Sequence, residues 1–430
     1  MQDYYLALLF LRIELHFMQI DYKKFTLSNG LRFIVHEDHS TPMAVLNVLY
    51  DVGARDESPD KTGFAHLFEH LMFGGSVNIK DFESPLLMAG GENNAFTTND
   101  LTNYYIQLPA ENIETACWLE SDRMISLAFS EKSLDVQRKV VCEEFKEHYI
   151  NRPYGDVAFK LRELAYQKHP YRWMTIGKEL SHIENAKLAD VKAFFHKHYC
   201  PANAILVMAG NIQTDKALAL AEKWFGNIPP GEKYIRHLPV EPKQEAARVM
   251  EVKADVPLDA LYKAFHVGSR TDKSYYTMDL VGELLGGGGS YRLFQTLVKE
   301  KKLFSNVECY HFGSSDPGLL LIEGKLIKGV PMKSADEAIR EELDKLSSSI
   351  ISEKELMKVK NKTESAILFE DMSLMNRASN LAMYELMGDV AFMNTELNKY
   401  LEVSAGEIRD LSATMFDEKN SSSLFYYSNN

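Results

Sequence analysis

Two histidines, His66 and His70, stand four positions apart in the run His66-Leu67-Phe68-Glu69-His70. Four positions is about one helical turn, so a helix here puts both imidazoles on one face, with Glu69 beside them. Such a face can hold one zinc ion through two ring nitrogens, while the glutamate reaches a water on the metal. The order reverses the commoner His-Glu-x-x-His arrangement.

A catalytic metal needs a third protein donor. The segment Gln137-Arg138-Lys139-Val140-Val141-Cys142-Glu143-Glu144-Phe145-Lys146-Glu147-His148 reads as helix. At helical spacing, positions 137, 140, 141, 144 and 148 share a face, which is expected to be mostly buried. Glu144 is on that stripe and Glu143 is turned away, so Glu144 is a candidate, with an ordinary solvated helix glutamate the alternative that the residues alone favour.

These residues resemble the pitrilysin, insulin-degrading enzyme and mitochondrial processing peptidase family of zinc endopeptidases, the inverzincins. The resemblance implies a third ligand roughly seventy to eighty residues beyond the second histidine, and Glu144 falls in that window. A second block, Gly90-Gly91-Glu92-Asn93-Asn94-Ala95-Phe96-Thr97 followed by Thr102-Asn103-Tyr104-Tyr105, looks like the family's edge strand and its partner. Further matches are Gly63-Phe64-Ala65, Leu71-Met72-Phe73-Gly74-Gly75, Tyr199-Cys200-Pro201-Ala202-Asn203 and the opening Phe25-Thr26-Leu27-Ser28-Asn29-Gly30-Leu31. The likeness is strong in the first half of the chain and thin in the second.

The resemblance implies zinc held by His66, His70 and Glu144, with Glu69 as general base toward a water whose pKa the metal lowers to about 7. An extended peptide would add to Asn94, Ala95, Phe96 and Thr97 through main-chain hydrogen bonds, with little dependence on sequence. Two departures stand out. Gln137 replaces a glutamate that usually supports the ligands, which leaves a hydrogen-bonding group without its charge. Active members also have an arginine and a tyrosine in the second half, which bind the substrate backbone. In the matching stretch, Leu297 to Ser305, this chain has Val298 and Ser305, with Arg292 and Tyr310 nearby.

At 430 residues the chain exceeds one ordinary core. The expected fold is α+β, with two similar domains, each a mostly antiparallel sheet with helices packed on one face. Residues 1–19 read as an extension, 20–229 as the zinc domain, 230–243 as a linker, and 244–430 as a degenerate copy without a metal site. The copy is visible where Val52-Gly53-Ala54-Arg55-Asp56 is echoed by Val267-Gly268-Ser269-Arg270-Thr271. The glycine run Gly286 to Gly289 lacks the Lys-Ser/Thr ending of a phosphate loop and reads as a helix stop.

A net charge of −13 excludes ordinary nucleic-acid binding and slightly favours neutral or basic peptides. Residues Tyr4 to Ile20 are apolar, but Arg12, Glu14 and His16 interrupt them, so neither a signal peptide nor a membrane span is expected. Four scattered cysteines read as buried thiols in a reducing compartment, which suggests the cytoplasm, or the periplasm if the N-terminus is misassigned.

The function expected is a zinc metalloendopeptidase acting on unfolded peptides, one zinc per chain. The alternatives are a non-catalytic scaffold or assembly subunit that keeps the fold, and a structural-zinc domain. The partner expected is a related subunit carrying the Arg/Tyr pair, in a heterodimer, or else a second copy in a homodimer.

Overall fold

The computed structural model describes residues 19–429. The expected N-terminal extension therefore lies, except for its last residue, outside the described residues.

The first half of the chain runs β1 (Lys23–Thr26), β2 (Arg32–Glu37), β3 (Met43–Tyr50), α1 (Phe64–Leu71), α2 (Glu83–Met88), β4 (Glu92–Thr97) and β5 (Thr102–Pro109). It continues α3 (Ile113–Ile125), α4 (Glu131–Phe145), α5 (Val157–Ala165), α6 (Leu180–Glu184), α7 (Leu188–His198), β6 (Ala204–Gly210) and α8 (Thr214–Phe225). The second half holds β7 (Arg248–Ala254), β8 (Ala260–His266), α9 (Tyr275–Gly286), β9 (Phe304–Phe312), β10 (Leu319–Leu326), α10 (Met332–Ser348) and α11 (Glu353–Asp371). It ends α12 (Leu374–Leu386), α13 (Glu396–Glu402), α14 (Ala405–Met415) and β11 (Ser421–Ser428).

The strands form two sheets, ordered β1-β2-β6-β3-β5-β4 and β7-β11-β8-β10-β9. In each, the last strand of the half inserts beside the first long one in parallel, β6 on β2 and β11 on β7. The other pairs are antiparallel. Apart from β1, which has no counterpart, the two orders correspond strand for strand, so the chain is a duplicated α+β fold.

β3 shows why both faces of the first sheet are covered. Its side chains alternate with period two. Ala44, Leu46, Val48 and Tyr50 enter the core under α1, α3, α7 and α8. Val45 and Leu49 enter a second core on the opposite face, against Ala378, Leu381 and Ala382 of α12. The converse contact is made by α5, whose Val157, Leu161 and Ala165 pack on Ala264, Leu424 and Tyr426 of the second sheet. Each half thus lends one helix to the other half's sheet.

Residues 24–35 form a hairpin, broken at Leu27–Leu31 around Gly30, whose φ of 83° suits glycine. One local expectation changes. The stripe 137–140–141–144–148 is not a buried face: Val140 and His148 are exposed, and the helix buries Leu134, Val141, Cys142 and Phe145 instead. Glu144 lies beside that buried ridge, on the flank that faces α1.

Residues 226–247 contain no helix or strand. They are nonetheless fastened: Arg236 pairs with Asp51 and Asp56, and Glu241 accepts the main-chain N–H groups of Gln167, Lys168 and His169. Cys117, Cys142, Cys200 and Cys309 are all buried and unpaired. Among the described residues no helix is long and apolar enough to cross a membrane.

Candidate metal centre

α1 begins where the backbone turns left-handed at Gly63, φ 86°. A Cβ there would come within 2.6 Å of Ile183 Cδ1 and 2.7 Å of the Ile176 carbonyl oxygen, so only glycine fits. The first N–H groups of a helix lack partners within it. Here the buried carboxyl of Glu57 accepts the Gly63 and Ala65 N–H groups, each at 2.8 Å. Burial pushes this carboxyl up to about 8, although those same hydrogen bonds pull it down. The sequence reading missed Glu57, because nothing in the spacing of a loop glutamate shows where it folds back.

The buried side of α1 carries Leu67, Phe68 and Leu71. Phe68 stacks on Phe194 and Tyr199, with ring centres 5.2 and 5.1 Å apart. This anchoring fixes the helix's rotation and leaves His66, Glu69 and His70 half-buried toward α4 and β4.

The Nε2 atoms of His66 and His70 lie 3.3 Å apart. Oε2 of Glu144 is 3.6 Å from His66 Nε2 and 3.4 Å from His70 Nε2. Donors held about 2.0–2.1 Å from one zinc at tetrahedral angles are separated by about 3.3–3.4 Å. The three side chains therefore form a donor set of zinc's size and preferred chemistry. All three keep some solvent exposure, so the cluster is open on one side. Burial and the neighbouring His70 hold His66 well below its usual value, at about 4, so it presents a neutral nitrogen. One feature is unusual for a metal-binding imidazole: His66 Nδ1 is buried without an acceptor.

Glu69 is raised by burial, with Thr97 and His70 pulling it down and Glu144 pushing it up. The Thr97 hydroxyl is buried near it and makes no well-formed hydrogen bond. Thr97 is the last residue of β4, and among the described residues β4 is an edge strand, paired only with β5. Asn94 and Phe96 are exposed and Ala95 and Thr97 half-buried. The catalytic candidate on α1 and the free edge of the sheet thus meet at Thr97. Gln137 is half-buried on α4, and no hydrogen bond joins it to the three donors.

Behind this layer, Arg123 sits fully buried beside Glu120 and against Tyr104 and Phe82, its guanidinium carbon 4.5 and 4.7 Å from the ring centres. It props the strand that backs the edge. Its buried pairing could not be foreseen, because Glu120 and Arg123 read as ordinary helix-surface charges.

In the second half, Val298 is half-buried and Ser305 exposed. Arg292 is held by Glu355 through two hydrogen bonds of 2.6 and 2.9 Å. Tyr310 is exposed on the edge strand β9.

Fold and donor set together define the class: a duplicated two-sheet protein of the inverted His-x-x-Glu-His metallopeptidase type. Residues 32–178 match the family described as Insulinase (Peptidase family M16), and residues 185–363 match Peptidase M16 inactive domain. The chain belongs to peptidase family M16, the insulinase- and pitrilysin-like family. It is 29% identical over 406 residues to the Zinc protease PqqE of Helicobacter pylori, covering 93% of this chain and 91% of that one. It is 28% identical over 209 residues, 48% of this chain and 45% of the other, to the mitochondrial-processing peptidase subunit beta of Saccharomyces cerevisiae. The crystal structure of a protease from Helicobacter pylori superimposes with a TM-score of 0.89 at 28% identity, covering 95% of this chain and all of that one.

Proposed function

We propose that the chain is a zinc metalloendopeptidase acting on unfolded peptides or short protein segments. The observation that carries this reading is the convergence of His66, His70 and Glu144 at zinc-ligand spacing, with Glu69 next to them at the end of the edge strand. Zinc bound there would supply Lewis acidity, making a water more acidic and polarising a carbonyl. His66, His70 and Glu144 hold it. Asn94 to Thr97 pair with the substrate backbone and bring the scissile bond alongside Glu69. Glu69 accepts the proton of the attacking water and returns it to the leaving amine. Relatives named zinc proteases support the assignment.

At the two places where active members of the family carry a backbone-binding arginine and tyrosine, this chain has Val298 and Ser305. Val298 and Ser305 cannot replace them, and Arg292 is engaged with Glu355. We propose a related subunit of similar length that carries the pair and faces this chain in a heterodimer, with a homodimer as the other possibility. Lost contacts of that kind weaken transition-state binding by on the order of a few kcal/mol, so the chain alone is slow. The buried, unpaired cysteines support a cytoplasmic location.

The test is peptide cleavage by the purified chain, alone and with a related subunit, alongside zinc content. About one zinc per chain and chelator-sensitive cleavage are expected. A scaffold role is the second reading, favoured by the missing pair and by the likeness of residues 185–363 to an inactive domain. It would prevail if a zinc-loaded protein cleaved nothing with any partner.

A further inference from the structure

Arg162, on α5, carries a positive charge that the fold does not neutralise. Its Nη1 reaches only Oδ1 of Asn99 and the carbonyl oxygens of Tyr171 and Trp173, at 3.4, 3.5 and 3.3 Å. These are long for hydrogen bonds. Among the described residues no carboxylate lies within ion-pairing distance, whereas Arg55, Arg236 and Arg270, near the junction of the halves, are all paired. Burial pulls the Arg162 pKa down, and only tyrosines near it push it up. An uncompensated, desolvated guanidinium is costly, and proteins normally pair it.

The guanidinium borders a cavity of about 210 Å³ between α5 and the second sheet. Phe312 supplies a ring face 4.9 Å from the guanidinium carbon, and Tyr310 lines the same space. Both rings are exposed. The volume is below the roughly 300–1,000 Å³ of small-molecule sites and suits one side chain. One carboxyl, Glu323, also lines it. It makes no ion pair with Arg162, and burial and the neighbouring Glu308 weaken its acidity.

Asn99 ties this cavity to the candidate centre. It lies two residues past Thr97, where β4 ends beside Glu69. A strand advances about 3.3 Å per residue. A peptide added to β4 therefore brings a side chain to Asn99 two or three residues beyond the one at Thr97.

We propose that Arg162 is a specificity-determining residue that receives a substrate carboxylate in this cavity, with Tyr310 and Phe312 packing on the side chain that carries it. This deepens the peptidase reading and rests on it for the path of the peptide. The carboxylate could come from an internal Asp or Glu or from a peptide's C-terminus. The local charge runs against the preference for neutral or basic peptides drawn from the net charge of −13, because one buried cation outweighs distant, screened surface charge.

The experiment uses the full chain with Glu69→Gln, loaded with zinc, so that binding is read without cleavage. Fluorescein-labelled eleven-residue peptides of Gly, Ser and Ala carry one Glu moved position by position, each compared with Gln at the same place. A second arm compares Gln peptides with a free or an amidated C-terminus. Fluorescence anisotropy is expected to show about tenfold tighter binding of Glu than Gln in one register, not in adjacent ones, since neighbouring side chains point to opposite faces. A preference for the free C-terminus alone would assign the carboxylate to that source. The acid preference is expected to collapse to within twofold in Arg162→Met and to be reduced in Arg162→Lys. The melting temperature of Arg162→Met is expected to hold or rise, because an unpaired buried charge is removed. The proposal is overturned if no peptide binds, if acid and neutral peptides bind alike, if the preference survives Arg162→Met, or if that variant melts several degrees lower. An acid preference here, beside a zinc-loaded parent with Glu69 intact that cleaves nothing alone or with a related subunit, would refute the peptidase reading and leave this one standing.

Discussion

Nη1 of Arg55, in the first half, lies 2.7 Å from Oδ2 of Asp316, in the turn between β9 and β10 of the second. Arg55 is buried and also pairs with Asp100. His169 approaches Asp316 at 3.4 Å, and the main-chain N–H of Asp316 donates to the Tyr171 hydroxyl. One polar cluster thus latches the halves together.

The latch predicts a pH dependence. Burial raises the Asp316 carboxyl, but His169 and the Arg55 guanidinium outweigh it and hold it at about 2. In the unfolded chain the same group sits near 3.9. A depressed carboxyl stabilises fully above the unfolded value, and that stability is lost as pH falls toward the folded one. The parent is expected to exceed Asp316→Asn in urea midpoint at pH 6, with the gap narrowing from pH 4 to pH 2. A gap that stayed constant down to pH 3 would contradict this.

Removing the support of α1, which carries His66 and His70, is expected to affect both fold and site. Glu57→Ala strips acceptors from two buried N–H groups, which costs about 1–3 kcal/mol. We expect a lower melting temperature and weaker zinc binding, measured by competition with a chromophoric chelator. Zinc affinity unchanged in a destabilised protein would show that the cap acts on stability alone.

The two roles proposed for α1 separate by substitution. Glu69→Gln is expected to keep zinc and lose cleavage by about 10²–10⁴-fold, the usual span for a general base. His70→Ala is expected to lose zinc as well as cleavage. Activity surviving Glu69→Gln would sink the assignment.

Metal should also be visible in stability. A ligand at 100 times its dissociation constant adds about 2.7 kcal/mol to the folded state. Zinc is expected to raise the melting temperature of the chelator-stripped parent and to leave His66→Ala unmoved. Equal shifts in both proteins would place the zinc elsewhere.

What the sequence disclosed follows from what is local. The spacing of His66, Glu69 and His70 fixes their shared face, and the run Glu92 to Thr97 was legible as a strand through its likeness to the family's edge strand. Glu144 does stand beside the two histidines, yet its stripe was misread, since Val140 looks like a core residue and is exposed. Glu57, Arg123 and Arg162 were not found. Glu57 folds back onto a helix start six and eight residues ahead, Arg123 is covered by rings from remote segments, and Arg162 is marked by the ion pair it lacks; none of these leaves a periodic trace.

The reciprocal loan of α5 and α12 yields a further expectation. Cut between Pro242 and Lys243, the two fragments should still co-purify one to one when co-expressed, and either alone should aggregate with Val45 and Leu49, or Leu424 and Tyr426, uncovered. Fragments that each stayed monomeric and soluble would count against it.

α5 and α12 occupy equivalent places in the two halves, and each lies across the other half's sheet. In symmetry terms the chain is a domain-swapped dimer whose two protomers have been joined end to end. The tether sets a high effective concentration for the swap, so the exchange that risks runaway polymers between separate chains is closed within one molecule. Fusion also frees the halves to diverge. A symmetric dimer must carry any cluster of side chains twice or not at all, whereas a fused one can keep a cluster such as His66, His70 and Glu144 on one side only.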